Sequence, residues 1–153
     1  SINFLLNKAS KWLNIYSYLP HQGKLEIIAN NDIETLLIRV PEYVPYGAVK
    51  IKRTIGGETK NLSGRDLPWV KKYFAKLDNV ADDEVIEIEF PVIKRKAIEK
   101  AVDDRFEVEW CGDNVININP TGTYYPLYNN KEVLNNIPKR EKTLYIGNKK
   151  DFE

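Results

Sequence analysis

The sequence predicts an all-β fold, an antiparallel β-sandwich of jelly-roll-like type with little or no helix. The first reason is the segment 106–119, in which apolar residues alternate with Glu or Asn on either side of a Cys-Gly-Asp-Asn turn. A period of two with β-branched and aromatic residues on one face is typical of a half-buried antiparallel hairpin. The second reason is that short apolar segments recur at close spacing with turn residues between them, as in sandwiches and barrels.

Eight segments have the alternation or apolar content of strands. In chain order they are residues 2–6, 12–18, 24–29, 34–40, 48–54, 85–90, 106–110 and 116–119. A Pro-His-Gln-Gly turn follows the second segment, and Gly56-Gly57 follows the fifth. Pro41 ends the fourth segment, because proline cannot donate a ladder hydrogen bond. Within that segment Leu36 and Ile38 are expected to share one face of the strand.

Two segments allow more than one secondary structure. Residues 66–77 could open a helix near Pro68, but a strand over 71–77 is favoured because the segment is short and its neighbours are strands. Residues 91–102 are rich in lysine and fit either a continued strand or a short helix, and the pattern leaves both open.

Length and composition suit one domain that covers residues 1–153. At 153 residues and 42% apolar content, the chain is long enough for a core without disulfides or metal. The pattern weakens after residue 128, so 129–153 is predicted to be an irregular tail with one short strand at 144–146. The chain has no Met and its apolar residues begin at Ile2, as expected of a fragment cut from a larger protein close to a strand.

Charge and cysteine content exclude several classes of partner. Lys and Arg total 23 against 22 Asp and Glu, so neither a nucleic acid nor a membrane surface is an expected partner. No apolar run is long enough to span a bilayer, and the N-terminus lacks a signal pattern. The single cysteine, Cys111, excludes a disulfide within the chain and a cysteine-based zinc cluster, and no cofactor is expected. The compartment is left undetermined.

Three pieces of the chain together resemble one protein family. They are residues 3–10 leading to Tyr-Ser-Tyr-Leu-Pro at 16–20, Leu-Ile-Arg-Val-Pro-Glu-Tyr at 37–43, and Val-Glu-Trp at 108–110 continuing to Pro-Leu-Tyr at 126–128. They are similar to the C-terminal β-sandwich region of β-L-arabinofuranosidase-like glycoside hydrolases, a group long catalogued as a domain of unknown function. An acidic turn, a strand and Phe-Pro at 82–91 resemble another element of that family. Tyr43 stands where the family usually has Trp.

The resemblance covers residue 2 to about residue 128 and implies a non-catalytic part of a larger protein. In such enzymes the catalytic acidic residues lie in a preceding α/α-barrel, as does the zinc that cysteines and a glutamate hold in characterised members. No position of this chain matches the catalytic motif, so the resemblance implies no catalytic residue and no metal ligand here. It implies the catalytic barrel of the parent chain as the partner.

Isolated reactive side chains favour structural roles over catalytic ones. His21 is the only imidazole and lies in a turn, which favours a solvated loop residue over a metal ligand. Cys111 would need a nearby base to act as a nucleophile, so a buried structural thiol is favoured. Asp82-Asp83-Glu84 and Asp103-Asp104 could bind calcium but lack the spacing of a calcium loop, which favours turn roles.

Two pairs of glutamates satisfy the simplest geometric requirement of a glycosidase. Glu87 with Glu89, and Glu107 with Glu109, would project from one face of a strand at about 7 Å. A glycosidase needs two carboxylates about 5–10 Å apart. Most amphipathic strands with acidic residues meet that spacing, so a solvated strand face is favoured and no catalytic residue is predicted.

Tyrosines are the residues that best suit ligand binding. Tyr43 and Tyr46 lie in a proline-containing loop, and Tyr124, Tyr125 and Tyr128 surround a second proline. Exposed rings of this kind could stack on sugar rings, whereas buried ones would fill or seal a sandwich core. Only their exposure can separate these two roles.

The sequence therefore predicts a non-catalytic β-sandwich accessory domain of a glycoside-hydrolase-like, β-L-arabinofuranosidase-like protein. Its expected role is to pack against and support a catalytic α/α-barrel that this chain does not contain. The first alternative is a carbohydrate-binding module that holds an oligosaccharide through exposed aromatic residues. The second alternative is a protein-interaction domain that uses edge strands. This chain alone is not expected to be an enzyme.

Overall fold

A computed structural model describes residues 1–3 and 5–121 of the chain. Its one helical element is a 3₁₀ turn at Tyr46–Ala48 and its other elements are strands, so the predicted all-β class is confirmed. The strands are β1 (Lys8–Ala9), β2 (Leu13–Ser17), β3 (Lys24–Ala29), β4 (Ile33–Arg39), β5 (Lys50–Ile55), β6 (Glu58–Ser63), β7 (Trp69–Val70), β8 (Phe74–Val80), β9 (Val85–Glu89), β10 (Lys94–Ala101), β11 (Asp104–Cys111) and β12 (Asn114–Asn119). Within the described residues, no helix has the length and apolar character needed to cross a membrane.

Residues Ser1–Leu19 and Gly23–Pro91 belong to one compact unit built from two sheets. The larger sheet has six antiparallel strands in the order β1-β2-β3-β9-β5-β6, and the smaller sheet has the order β4-β8-β7. Buried apolar residues from both sheets form a single hydrophobic core. Two sheets that share one core are the sandwich-like arrangement that the sequence predicts.

The core is densest along β9, which pairs with β3 on one side and β5 on the other. Ile88 lies opposite Leu25 in one ladder and opposite Ile51 in the other. All three side chains are at most 1% exposed. Because successive residues of a strand point to opposite faces, the same alternation sends Glu87 and Glu89 to the outer face of the sheet.

Residues 40–49, one of the loops that connect the two sheets, include the 3₁₀ turn and form what we call the crossing loop. This loop leaves the smaller sheet after β4 and enters the larger sheet at β5. Gly64 holds the end of this loop in place, since its amide donates a hydrogen bond to the Val49 carbonyl at 2.8 Å. A Cβ at Gly64 would lie 2.0 Å from the Tyr46 carbonyl oxygen, so only glycine fits there.

A second compact unit includes Pro20–Gln22 and residues 92–121, with its strands in the order β10-β11-β12. The hairpin predicted from the alternation at 106–119 is confirmed as β11 and β12, and Gly112 occupies its turn with φ at +59°. The lysine-rich segment 91–102, which fitted either a strand or a helix, contains strand β10. Its side chains are almost all exposed, which explains why the sequence pattern there was weak.

The predicted strand at 2–6 is wrong. Ile2 makes one parallel bridge with Ile38 of the smaller sheet, and the first strand, β1, pairs with β2 in the larger sheet. Ile2 and β1 thus belong to different sheets, and Asn3, Leu5 and Leu6 are not in a strand. Leu6, at 66% exposure, is apolar without being part of the core.

The segment 66–77 contains strands and no helix, as favoured, but the strand predicted over 71–77 begins only at Phe74. Trp69–Val70 and Phe74–Val80 are separate strands, and Lys71 and Lys72 between them have φ of +47° and +67°. Strand β6 was not predicted, because its sequence is mostly polar and it forms an exposed edge of the larger sheet. The predicted tail at 129–153, with its strand at 144–146, lies outside the described residues.

Candidate functional site

The crossing loop places its two predicted tyrosines in different environments. Tyr43 is half-buried and packs against the hydrophobic core. Tyr46 begins the 3₁₀ turn and is 41% exposed, so it is the one of the pair with a ring available to a ligand. Tyr124, Tyr125 and Tyr128, the other three predicted binding residues, lie outside the described residues.

Tyr46 stacks on Trp69, which the sequence did not single out. Their ring centroids are 4.4 Å apart and their planes differ by 29°. The Tyr46 hydroxyl donates to the Lys72 carbonyl at 2.7 Å, and Trp69 Nε1 donates to the Gly64 carbonyl at 2.7 Å. Both rings are therefore held at their polar ends as well as by stacking, a combination that fixes their orientation.

The stacked rings line a pocket of about 380 Å³, which we call the Tyr46 pocket. Its aromatic members are Tyr46, Trp69 and Tyr73, and its charged members are Glu42 and Lys72. The remaining lining residues are Val40, Pro41, Val44 and Pro45. Predominantly apolar and aromatic walls with a few polar groups are the usual composition of a small-molecule site.

The charged members of the Tyr46 pocket differ in their partners. Glu42 forms a salt bridge with Arg39 at 3.4 Å. The Lys72 ammonium lies 5.1 Å from the centre of the Tyr73 ring, within cation–π range. The Tyr73 side chain raises the pKa of Lys72 above its ordinary value, with smaller contributions from Tyr46 and Glu42. Lys72 is therefore a stable cation at the edge of an aromatic surface.

The glutamate pairs lie on solvated strand faces, as favoured from the sequence. Glu87 forms salt bridges with Lys24 and, at 3.0 Å, with Lys52. Hydrogen bonds from these two lysines lower the pKa of Glu87. A general acid at neutral pH needs a raised pKa, so this environment does not suit acid catalysis.

The second pair shares a single cation. Lys96 bridges Glu107 at 2.9 Å and Glu109 at 3.1 Å, which holds both carboxylates on one strand face. Such a bridge is a common cross-strand contact in antiparallel sheets.

The remaining candidates have structural surroundings. Cys111 is buried, and His21 is half-buried in its turn. In the acidic turn at 82–84, the Glu84 side chain is buried and forms a salt bridge with Arg53, so it is not available to bind a metal ion. Among residues 1–3 and 5–121, no group of three or more His, Cys, Asp or Glu side chains is placed to bind one metal ion.

A second exposed aromatic residue, Trp12, lines a larger groove of about 800 Å³. Trp12 is 52% exposed, and the Lys11 ammonium lies 5.4 Å from its ring centre. The groove extends over the end of β1 and the start of β4, including Asp32 and Glu34. In the sequence Trp12 belongs to the predicted strand 12–18, and it is not among the five tyrosines predicted as binding residues.

Trp69, Lys72 and Tyr73 were missed because they join the site only through the tertiary fold. They lie more than 20 residues after Tyr46 and come beside it where β7 and β8 run next to the crossing loop. The one local signal was the sequence Pro-Trp-Val-Lys-Lys-Tyr, in which two aromatic residues flank two lysines.

The chain matches no protein-family model, and no curated protein matches it at a significant level.

Proposed function

We propose that this chain is a non-catalytic β-sandwich accessory domain of a glycoside-hydrolase-like protein, packing against a catalytic α/α-barrel of the parent chain. The observation that carries the proposal is the exposed Trp12 beside the open groove at the β1 edge of the larger sheet. Leu6, nearby in the chain, is also exposed. Exposed large apolar side chains beside a groove are typical of surfaces that bind another protein.

The salt bridges of the acidic residues also support a non-catalytic role. Each of the four glutamates considered as a catalytic acid lies within 4 Å of a lysine ammonium on a strand face. The resemblance to the sandwich region of β-L-arabinofuranosidase-like enzymes gives the same assignment, since it places catalysis in the barrel. The acidic residues then serve to stabilise and solubilise the sheets.

Binding of the barrel tests this proposal. The barrel encoded in the same reading frame is expected to bind the isolated domain, and Trp12→Ala is expected to weaken binding by about 2 kcal/mol, or about 30-fold in Kd. Tyr46→Ala serves as the control because Tyr46 is exposed at a different place, and it is expected to leave barrel binding unchanged. Surface plasmon resonance would measure both. Hydrolysis of an arabinofuranoside reporter by the domain alone would contradict the proposal.

A second function, carbohydrate binding, is favoured by the stacked Tyr46 and Trp69 in their pocket. Tyr46 offers an exposed ring whose position is fixed, so a ligand need not order it on binding. Prolines and valines make the walls apolar, and the charged groups at the edge can bind hydroxyls. These are the features that a site for a sugar ring requires.

Tyr46→Ala tests this function, and we expect it to weaken oligosaccharide binding at least tenfold because it removes the stacking surface. Tyr46→Phe keeps the ring and loses only the hydrogen bond to the Lys72 carbonyl, so most of the affinity should remain. Trp12→Ala is the control for the other exposed aromatic residue. A glycan array followed by calorimetry would measure these affinities. Undiminished binding by Tyr46→Ala would place any sugar site elsewhere.

A further inference from the structure

We infer that the Tyr46 pocket binds a sugar that carries a carboxylate, a uronic acid unit, and that Lys72 binds this carboxylate. The inference rests on the carbohydrate-binding function proposed above and specifies its ligand. It follows from the position of Lys72, from the charges around it and from the size of the pocket.

The position of Lys72 is fixed by its surroundings. Its carbonyl accepts the hydrogen bond of the Tyr46 hydroxyl, and the Tyr73 amide donates to the Lys71 carbonyl at 2.8 Å. Lys71 and Lys72 both adopt the left-handed backbone conformation, at φ of +47° and +67°, which side chains with a Cβ rarely adopt. The stacked aromatic pair and this turn together hold Lys72 at the edge of the pocket.

The charges leave Lys72 available to an anion. Glu42, the acidic residue that lines the pocket, already pairs with Arg39. Among the described residues, Lys72 forms no salt bridge with a carboxylate, and its ammonium lies over the Tyr73 ring instead. A ligand carboxylate would therefore gain a charge-assisted hydrogen bond without displacing an existing ion pair.

A further cation, Arg65, lies beside the 3₁₀ turn that Tyr46 begins. The Arg65 guanidinium lies against Gly47, where a Cβ would be 2.7 Å from Arg65 Nε. Glycine at position 47 thus allows this cation to approach the 3₁₀ turn that carries Tyr46. Lys72 and Arg65 thus place two cations near Tyr46, whereas the carboxylate among the lining residues, Glu42, is paired with Arg39. This arrangement favours an anionic ligand over a neutral one.

The dimensions favour a single sugar unit at this position. A volume of about 380 Å³ is near the lower end of the range of about 300–1,000 Å³ for ligand pockets. The exposed face of Tyr46 suits the C–H face of a pyranose, and the ammonium at the edge suits a carboxylate on the ring. The uronic acid would thus be recognised by the aromatic face of Tyr46 and the ammonium of Lys72.

The test compares matched sugars that differ only at one carbon. Glucuronate and galacturonate are titrated against glucose and galactose, with the indole N–H signals of the ¹⁵N-labelled protein as reporters. The Trp69 signal is expected to shift on titration, whereas the Trp12 signal should stay unchanged. The uronates are expected to bind about fivefold more tightly than the neutral sugars, the size of one exposed ion pair. This preference should disappear in 1 M NaCl.

Lys72→Gln is the decisive variant, since it removes the charge and keeps a polar side chain that is only one atom shorter. It is expected to lower uronate affinity to that of the neutral sugars, because glutamine can still hydrogen-bond a sugar hydroxyl but offers no charge to a carboxylate. Lys71→Gln, the neighbouring exposed lysine with the same backbone conformation, is the matched control and should retain the preference. Thermal unfolding of both variants checks that the fold is intact.

The outcomes separate this inference from the function on which it rests. Equal binding of acidic and neutral sugars, or an unchanged preference in Lys72→Gln, would overturn the uronate assignment while leaving sugar binding in place. No shift of the Trp69 signal with any of the four sugars would overturn both. A Trp69 shift with decaproline but with none of the sugars would overturn both as well and assign the pocket to a proline-rich peptide.

Discussion

Ile88→Ala is expected to lower the free energy of unfolding by about 3–4 kcal/mol. Ile88 has no exposed surface and lies between Leu25 and Ile51 in the middle of the larger sheet. Truncation removes three buried carbons and leaves a cavity that neighbours on both sides can fill only by moving strands. Urea denaturation followed by circular dichroism would measure the change from the shift in midpoint at constant slope.

Ile55→Ala is the matched control for this experiment. Ile55 ends β5 in the same sheet but is 44% exposed, so the same chemical change should cost less than about 1 kcal/mol. Equal costs for the two variants would mean that the side chain of Ile88 is not enclosed by the two sheets. A lower slope in Ile88→Ala would instead indicate a change in the unfolding mechanism.

The strands of the core could be predicted because each carries its own alternation. Leu36 and Ile38 are buried while Arg39 is exposed, as a period of two requires. Strand β3 has the predicted bounds, and β9 ends one residue earlier than predicted because Phe90 leaves the ladder. The structure of such a segment can be predicted from its own residues, without knowledge of the strands with which it pairs.

Elements whose structure depends on distant partners could not be predicted in this way. Apolar composition at 2–6 suggested a strand, but Ile2 and Lys8 contribute to different sheets. Strand β6 exists because β5 offers it an unpaired edge, although its own residues are mostly polar and exposed. Neither fact can be read from the segment itself, since tertiary pairing overrides local preference.

The candidate site was predictable in one residue and hidden in the others. Tyr46 was selected because it lies in a proline-containing loop, and loops run over the protein surface. Tyr43 lies in the same loop but packs inward, and the sequence has no signal that separates the two. Trp69 and Lys72 join the site because two lysines in the turn after Trp69 adopt the left-handed backbone conformation. Residues with a Cβ rarely adopt that conformation, and no local pattern in the sequence predicts it.

The acidic turn at 82–84 gives the clearest case of a residue whose role depends on the fold. Glu84, Ile86 and Ile88 share one face of the chain by alternation, and the same face of β5 carries Ile51 and Arg53. The core-facing residues of β5 therefore end in the cation Arg53, and those of β9 are preceded by the anion Glu84. A sandwich normally has apolar residues at such positions. From the sequence alone Glu84 belongs to a turn, whereas in the fold its carboxylate is buried beside Arg53.

Glu84→Gln is accordingly expected to lower the free energy of unfolding by about 3 kcal/mol at pH 7, since it leaves Arg53 without a counter-ion in a largely buried position. Arg53 Nη2 donates to Glu84 Oε2 at 2.9 Å and Arg53 Nε donates to Glu84 Oε1, while the guanidinium also donates to the Asp78 and Asn79 carbonyls. Glu84 Oε2 also accepts from the Ala81 amide at 3.1 Å. Glutamine preserves the shape of the side chain but removes the charge that balances the guanidinium.

The matched control is Glu87→Gln, which makes the same chemical change on the outer face of β9. Glu87 pairs with two lysines, but its side chain is 22% exposed against 3% for Glu84. Solvated pairs contribute at most about 1 kcal/mol, so this variant should be markedly more stable than Glu84→Gln. Chemical denaturation of both proteins at pH 7 would give the comparison, and equal losses would show that burial does not strengthen the Arg53 pair.

The acid stability of the wild-type protein and of Glu84→Gln provides an independent check. Burial raises the pKa of Glu84, but hydrogen bonds from Arg53 and the Ala81 amide, together with the Arg53 charge, outweigh it and leave the pKa below its ordinary value of 4.5. The folded state then binds fewer protons than the unfolded state below that pH, so the contribution of Glu84 is present above about pH 4.5 and is lost as the pH falls through the lower folded pKa. Wild-type stability should fall more steeply than that of Glu84→Gln over this acidic range, and the two curves should converge. Parallel curves from pH 7 to pH 2 would mean that the pKa of Glu84 is the same in the folded and unfolded states, against the ion pair as described.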